Sequence, residues 1–184
     1  MESSERRARF EREMLAHLDG LYAFALRLAR DRHDAEDLVS DTVLRALDRW
    51  EQYQLDTNIR GWLFTILYHL FVNHRRKIES RETPLEGENG SPALEPIGEG
   101  DPEGRFYDSF VDEEITRAIE ALPEHYRTAV VLSDVHGFSY HEMAEILGVP
   151  EGTVKSRLFR GRQALQQELM GYAVDMGYLR PRAA

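Results

Sequence analysis

The stretch YHEMAEILGVPEGTVKSRLFRGRQAL, from Tyr140 to Leu165, has the punctuation of two helices around a tight turn. Ser139 can cap the first helix, and Met143, Ala144 and Leu147 fall on one of its faces. Gly148 supplies the positive φ that ends a helix, Val149 plugs the corner, and Pro150 can start the next helix. Along that second helix Val154, Leu158, Gly161 and Leu165 share a core-facing side. Glu151, Lys155, Ser156, Phe159, Arg160 and Arg162 are left pointing outward. Small Ala144 allows a close crossing, and the pattern predicts a helix-turn-helix whose second helix enters the major groove.

A helical hairpin with a glycine turn can also be plain packing, so charge has to discriminate. Residues 151–165 hold Lys155, Arg157, Arg160 and Arg162 against Glu151, in a chain of formal net charge -10. A local cationic face on an acidic protein matches the phosphate contacts that dominate DNA affinity.

The 184 residues, 42% of them hydrophobic, can bury one medium core or two small ones. No apolar run approaches the ~20 residues that span a bilayer, and MESSERRARFERE at the N-terminus has no apolar stretch of a signal peptide. The chain has no Cys, which excludes disulfides and thiolate zinc sites, and any redox sensing must sit in a partner. The expected compartment is the cytoplasm.

Charge is uneven along the chain. Residues 1–80 carry 13 basic and 14 acidic side chains, residues 81–110 carry 2 and 8, and residues 111–184 carry 8 and 11. Thr83 to Gly104 also holds four of the seven prolines and five of the thirteen glycines. That composition predicts a flexible acidic linker over 81–110 between two domains, 8–80 and 111–172, with a fraying tail over 173–184.

Phe10 to Arg30 has helical spacing, weakened at Gly20. Asp34 is expected to cap DAEDLVSDTVLRALDRW, with Leu38, Val39, Thr42, Val43, Ala46, Leu47 and Trp50 inward. Asp37, Ser40, Asp41, Leu44, Arg45 and Asp48 then face outward, and Leu44 is an apolar exception among carboxylates that points to protein binding. After the loop EQYQLDTN comes NIRGWLFTILYHLFVNHRRK, with Trp62, Leu63, Ile66, Leu67 and Leu70 as its core face. Phe64, Tyr68, Phe71 and Arg75 form a second stripe; such a stripe is more often core. Interleaved with Arg60, Asn73, Arg75 and Arg76, it also makes a plausible surface for stacking single-stranded bases. Val111 to Leu122 and the run from Pro123 to Gly137 complete the helices before the helix-turn-helix.

Taken together, these segments resemble the extracytoplasmic-function class of sigma factors over nearly the whole chain outside the linker. DAEDLVSDTVLRAL resembles the family's core-polymerase-binding helix, and NIRGWLFTILYHLFVNHRRK its promoter −10 segment. ALPEHYRTAVVLSDVHGFSYHEMAEILGVPEGTVKSRLFRGRQAL resembles the −35-reading domain. The implied fold is all-α: a sigma2-like helical bundle and a sigma4-like helix-turn-helix domain joined by the linker.

The resemblance implies roles for particular residues. Asp37, Ser40, Asp41, Leu44 and Arg45 would meet core RNA polymerase at its β′ clamp helices, and the β flap would be a further polymerase contact. The loop from Tyr53 through Asp56 to Asn58 would receive a base flipped from the non-template −10 strand. Arg60, His69, Asn73, Arg75 and Arg76 would contact that strand. Lys155, Ser156, Phe159 and Arg160 would read −35 base edges, with Arg157 and Arg162 nearer phosphates. The family often has Gln and Glu where this chain has Ser40 and Asp41, and Asn where it has His69.

No Walker phosphate loop is present, so strand opening would be driven by binding: flipping a base costs a few kcal/mol, offset by a pocket. The resemblance also implies an anti-sigma factor covering both domains. LDTNIRGWLF, NHRRK and YAVDMGYLRP are similar to a branch tied to thiol-oxidative stress, which implies a zinc-bearing partner of that kind. The free chain would be a monomer with no cofactor and no metal of its own.

Two other classes compete. A helix-turn-helix regulator with an N-terminal sensor would be dimeric and bind palindromic half-sites. An enzyme is disfavoured: His141-Glu142-Met143-Ala144-Glu145 opens like a zincin helix but lacks the second His, and no nucleophile motif is present.

Overall fold

The computed structural model describes residues 2–82 and 113–177, and among them the regular structure is all helical, with nine α-helices. No helix among the described residues is long and apolar enough to cross a membrane. The chain divides into two units, Met1–Glu99 and Gly100–Ala184. The expected linker lies outside the described residues except for 81 and 82, which close a helix, and so does the tail beyond 177.

In the first unit, α1 (Glu2–Leu15) is polar and braced by the pairs Arg7–Glu11 at 2.9 Å and Arg9–Glu13 at 2.8 Å. Such exposed i,i+4 pairs each add little to helix stability. A single helix from Phe10 to Arg30 is not what forms. The chain breaks at Ala16–His17 and restarts as α2 (Leu18–Ala29), with Gly20 inside that helix. Packing decides the break. Phe10 of α1 meets Tyr53 and Trp62, with ring centroids 5.7 and 6.0 Å away, whereas Phe24 of α2 stacks on Phe64 at 5.1 Å. One straight rod cannot serve both contacts.

Asp31, rather than Asp34, caps α3 (Arg32–Asp48): its carboxylate accepts from the Asp34 N–H at 3.0 Å. Asp34 sits one turn in, where its charge still complements the helix dipole. Leu38, Thr42 and Ala46 are buried, and Thr42 Oγ1 donates to the Leu38 carbonyl at 2.7 Å. A short 3₁₀ turn, Trp50–Gln52, leads to α4 (Ile59–Glu82), which packs on α1, α2 and α3. Leu63, Phe64, Leu67 and Phe71 are buried, each worth about 1.5–3 kcal/mol of apolar transfer.

The second unit begins with α5 (Glu113–Ala121) and α6 (Glu124–Val130), the latter capped by Pro123. From Val131 to Val135 the helix widens into a π turn, where the His136 N–H donates to the Val131 carbonyl at 3.0 Å, before Gly137 at φ 68° redirects it. Ser139 and Glu142 form a complete capping box at the start of α7 (Tyr140–Leu147). Gly148, at φ 63°, ends α7. Pro150 is the N-cap of α8 (Glu151–Glu168), not its first turn, because its ψ of 148° is extended. Val130, Leu122 and Leu158 form a buried cluster with Tyr126, Ala164 and Leu165 packed on it. Gly161 is where α8 comes closest to α6: a Cβ there would lie 2.8 Å from Val130 Cγ2 and 3.3 Å from the Tyr126 carbonyl oxygen. A further helix, α9 (Met170–Asp175), runs across the expected tail boundary at 172–173 and past Gly171.

Candidate nucleic-acid and polymerase surfaces

The outward face of α8 is built as its spacing predicts. Lys155, Ser156, Phe159, Arg160 and Arg162 are exposed, and Arg157 is half-buried. Phe159 is 69% exposed, an apolar ring standing among cations. A ring so placed costs solvation in water and suits contact with a thymine methyl group. Ser156 Oγ donates to the Thr153 carbonyl at 2.9 Å, which leaves its lone pairs outward. Lys155 Nζ lies 3.6 Å from Glu151 and 5.7 Å from the centroid of Tyr140. Arg160 Nη1 donates to Tyr126 Oη at 3.4 Å, which raises the guanidinium pKa further above its usual value.

Arg162 departs from its expected place at a phosphate. Its Nε donates to Asp134 Oδ2 at 3.1 Å and its Nη2 to Ser133 Oγ at 3.2 Å, with a second contact to Asp134. The hydrogen bond to Asp134 is the main cause that raises its pKa. The cation stays charged and about half-exposed, paired with Asp134 within the domain.

On α3, Asp37, Ser40, Asp41, Leu44 and Arg45 are all exposed, and Leu44 is 61% exposed. Ser40 Oγ donates to the Glu36 carbonyl at 2.8 Å. Between α3 and α4 runs a groove of about 650 Å³. Asp34, Asp37, Asp41 and Arg45 line it from α3, Asn73, His74, Arg76 and Lys77 from α4, with Leu38 and Leu70 between. Residues expected on polymerase and residues expected on DNA therefore share one groove, with acid mainly on one wall and base on the other.

The −10 candidates divide. Tyr53 is 3% exposed and needs correcting as a DNA-facing ring: it packs on Phe10 and Trp62, and its Oη donates to the Thr57 carbonyl at 2.9 Å. It supports the loop from beneath. The aromatic stripe is core as well, because Phe64 and Phe71 are buried and Tyr68 is half-buried. Stacking of bases on Phe64 and Phe71 is closed off. Arg60 and Arg75 instead lay their guanidinium groups over Phe64 and Phe71, at 5.6 and 6.0 Å. Asp56 is exposed at φ 67°, and Asn58 Oδ1 accepts from the Gly61 N–H at 2.9 Å. His69, Asn73, Arg75 and Arg76 are exposed.

The family described as sigma-70 region 2 matches residues 14–82, and that described as sigma-70 region 4 matches residues 112–165. The chain is 38% identical over 153 residues to the ECF RNA polymerase sigma factor EcfG of Rhodopseudomonas palustris, covering 83% of this chain and 81% of that protein. This chain belongs to the ECF sigma factors. It is also 40% identical over 162 residues to the ECF RNA polymerase sigma factor SigE of Mycolicibacterium smegmatis, spanning 86% of this chain and 61% of that relative. Among solved structures it is similar to the sigma factor RpoE of Bartonella quintana in complex with the anti-sigma factor NepR, with TM-score 0.66 and 33% identity. That match covers 88% of this chain and 97% of that one.

In this ECF sigma factor the region 2 match takes in the end of α1 and all of α2, α3 and α4, while the region 4 match spans α5 to most of α8. Three residues that shape these surfaces escaped sequence reasoning: Arg9, which pairs with Asp56; Tyr126, which holds Arg160; and Asp134, which holds Arg162. Their partners lie 47, 34 and 28 residues away, so no local pattern announces them.

Proposed function

We propose that this ECF sigma factor binds core RNA polymerase through the exposed face of α3 and directs promoter-specific initiation. The β′ clamp helices would meet Asp37, Ser40, Asp41, Leu44 and Arg45, and the β flap would contact the second unit. The face of α8 reads the −35 element, with Lys155, Ser156, Phe159 and Arg160 toward base edges and Arg157 toward phosphate. The loop over residues 53–58 and the exposed residues of α4 take the melted −10 strand. The chain itself performs no catalysis, acts in the cytoplasm and is a monomer when free.

The observation that carries this reading is one chain presenting an acidic α3 face with bare Leu44 and, in its other unit, a cationic α8 face with bare Phe159. Opposite charges sort the two partners, polymerase and DNA. A dimeric regulator with a sensor domain is not favoured, because the N-terminal unit is itself a region 2 match.

We also infer control by an anti-sigma factor, supported by the solved complex to which the chain is similar. The charged groove between α3 and α4 offers that partner a site overlapping the polymerase face. With no Cys in the chain, any thiol sensing belongs to the partner. The test is run-off transcription with purified chain and sigma-free core polymerase on a genomic fragment library. Start sites sharing −35 and −10 elements are expected; no co-elution with core and no transcripts would overturn the proposal.

A further inference from the structure

The loop over residues 53–58 is held from outside its own helix–loop–helix unit. Arg6 Nη2 donates to the Tyr53 carbonyl at 2.9 Å, and the Arg6 guanidinium lies 5.6 Å from the Trp50 ring centroid. One turn further along α1, Arg9 pairs with Asp56 while its Nε keeps Glu13 at 2.8 Å. Phe10, next in the chain, fills the space beside Tyr53 and Trp62. Arg6, Arg9 and Phe10 of α1 therefore all land on this loop, the two arginines reaching partners 47 residues away in sequence.

That loop needs holding. Asp56 adopts φ 67°, a left-handed conformation uncommon for residues with a Cβ, although Asp tolerates it better than most. Within the loop, Tyr53 Oη reaches the Thr57 carbonyl at 2.9 Å and Thr57 Oγ1 the Gln54 carbonyl at 2.6 Å, so both ends of the turn are closed. The apex at Asp56 is the part these bonds leave out, and Arg9 reaches it. Charge adds a second reason. An unpaired carboxylate at the loop apex would repel an incoming phosphate strand, and the Arg9 guanidinium offsets part of that repulsion across an exposed pair.

We propose that Arg9, with Arg6 behind it, is a positioning residue for capture of the −10 strand. It holds the Asp56 apex in the conformation that receives the base and offsets part of the carboxylate's charge there. This rests on the reading of loop 53–58 as the −10 capture loop. It gives α1 a part in promoter opening, beyond packing.

The experiment uses holoenzyme assembled from the full chain and core polymerase. Binding of a fluorescent non-template −10 single strand is measured alongside core affinity and the Tm of the free chain. Arg9→Ala is expected to weaken strand binding about fivefold, with core affinity unchanged and Tm shifted no more than the loss of exposed ion pairs allows. Arg9→Lys should recover part of the loss. Arg9→Ala with unchanged strand affinity would overturn the proposal, as would a loss matched by falling Tm or core affinity, or an Arg9→Lys variant that restores nothing. A photo-crosslinker at Gln54 in otherwise wild-type holoenzyme separates the two readings. Crosslinks to the −10 strand with an inert Arg9→Ala would sink the clamp alone, whereas no crosslinks at all would sink the loop assignment and the clamp with it.

Discussion

Arg162 of α8 and Asp134 of the π turn are joined by a hydrogen bond of 3.1 Å from Nε to Oδ2, within a bidentate contact. The pair ties the recognition helix to the preceding element and withdraws one cation from the DNA-facing surface. Asp134→Asn should release that cation. With one more phosphate contact available, DNA affinity of the holoenzyme should rise, and the slope of log K against log salt should steepen by about 0.9. Salt titrations of binding to −35 duplexes check this; an unchanged slope would mean that Arg162 faces away from the phosphates.

Gly161 sets how closely α8 approaches α6. A Cβ there would already crowd Val130 Cγ2 and the Tyr126 carbonyl, and the carbonyl cannot rotate away without breaking helix geometry. Gly161→Val adds two methyl groups beyond that point and should cost about 2 kcal/mol, within the range for overpacking. Gly161→Ala should cost less, because ~1 kcal/mol of helix propensity offsets part of the crowding. Thermal melts of the two variants should fall in that order.

The capping box at Ser139 and Glu142 satisfies the first N–H groups of α7, with bonds of 2.8 Å from the Ser139 N–H and 3.3 Å from the Glu142 N–H. Ser139→Ala should destabilise the second unit by about 1 kcal/mol, while Ser139→Asp should be nearly neutral. A denaturant midpoint that does not move in Ser139→Ala would show the cap to be energetically idle.

The helix-turn-helix was readable in the residues themselves because Ser139, Gly148 and Pro150 each have one physical use at a helix end. The face of α8 followed from period alone, since its apolar positions occupy only one side. Helix α4 defeated the same method. It is apolar on two adjoining stripes from Trp62 to Phe71, so period alone does not say which one is the core, and contacts from α1, α2 and α3 bury Phe64 and Phe71 of the aromatic stripe together with Leu63 and Leu67. The break at Ala16–His17 was invisible for another reason: it carries neither Gly nor Pro, and only the distant rings of Tyr53, Trp62 and Phe64 impose it. Tyr53 likewise reads as a loop residue until Phe10 is brought against it.

Two histidines give the fold a pH dependence of predictable sign. His17 has its pKa lowered by burial and then by Arg60, against a weaker opposing pull from Glu13. His125 is lowered by burial, then by Arg157 and Arg160. Both fall below the usual imidazole value of 6.5, so the unfolded chain binds more protons through that window. Their contribution to stability is fully present above about pH 6.5 and is lost as pH falls through and below it. Melts of His17→Gln should lose less Tm between pH 7.5 and pH 5 than wild type; an equal loss would place the acid sensitivity elsewhere.

Tyr126 carries the last prediction, because it joins the core to the reading surface. Its ring packs on the Leu122, Val130 and Leu158 cluster, and its hydroxyl accepts from Arg160 at 3.4 Å. Arg160 is otherwise a long side chain in water, with the rotamer freedom that such groups lose on binding. Tyr126→Phe keeps the packing and removes only the hydroxyl. The melt should therefore stay within ~0.5 kcal/mol of wild type, while affinity for the −35 duplex falls about two- to fivefold, the worth of one modest hydrogen bond. The salt slope should not change, because no phosphate contact is lost. Arg160→Ala should instead lose more affinity and also relax preference at one base pair, by about 1–3 kcal/mol. If Tyr126→Phe and wild type bind the −35 element equally, the phenol has no part in aiming Arg160, and the 3.4 Å contact is incidental to reading.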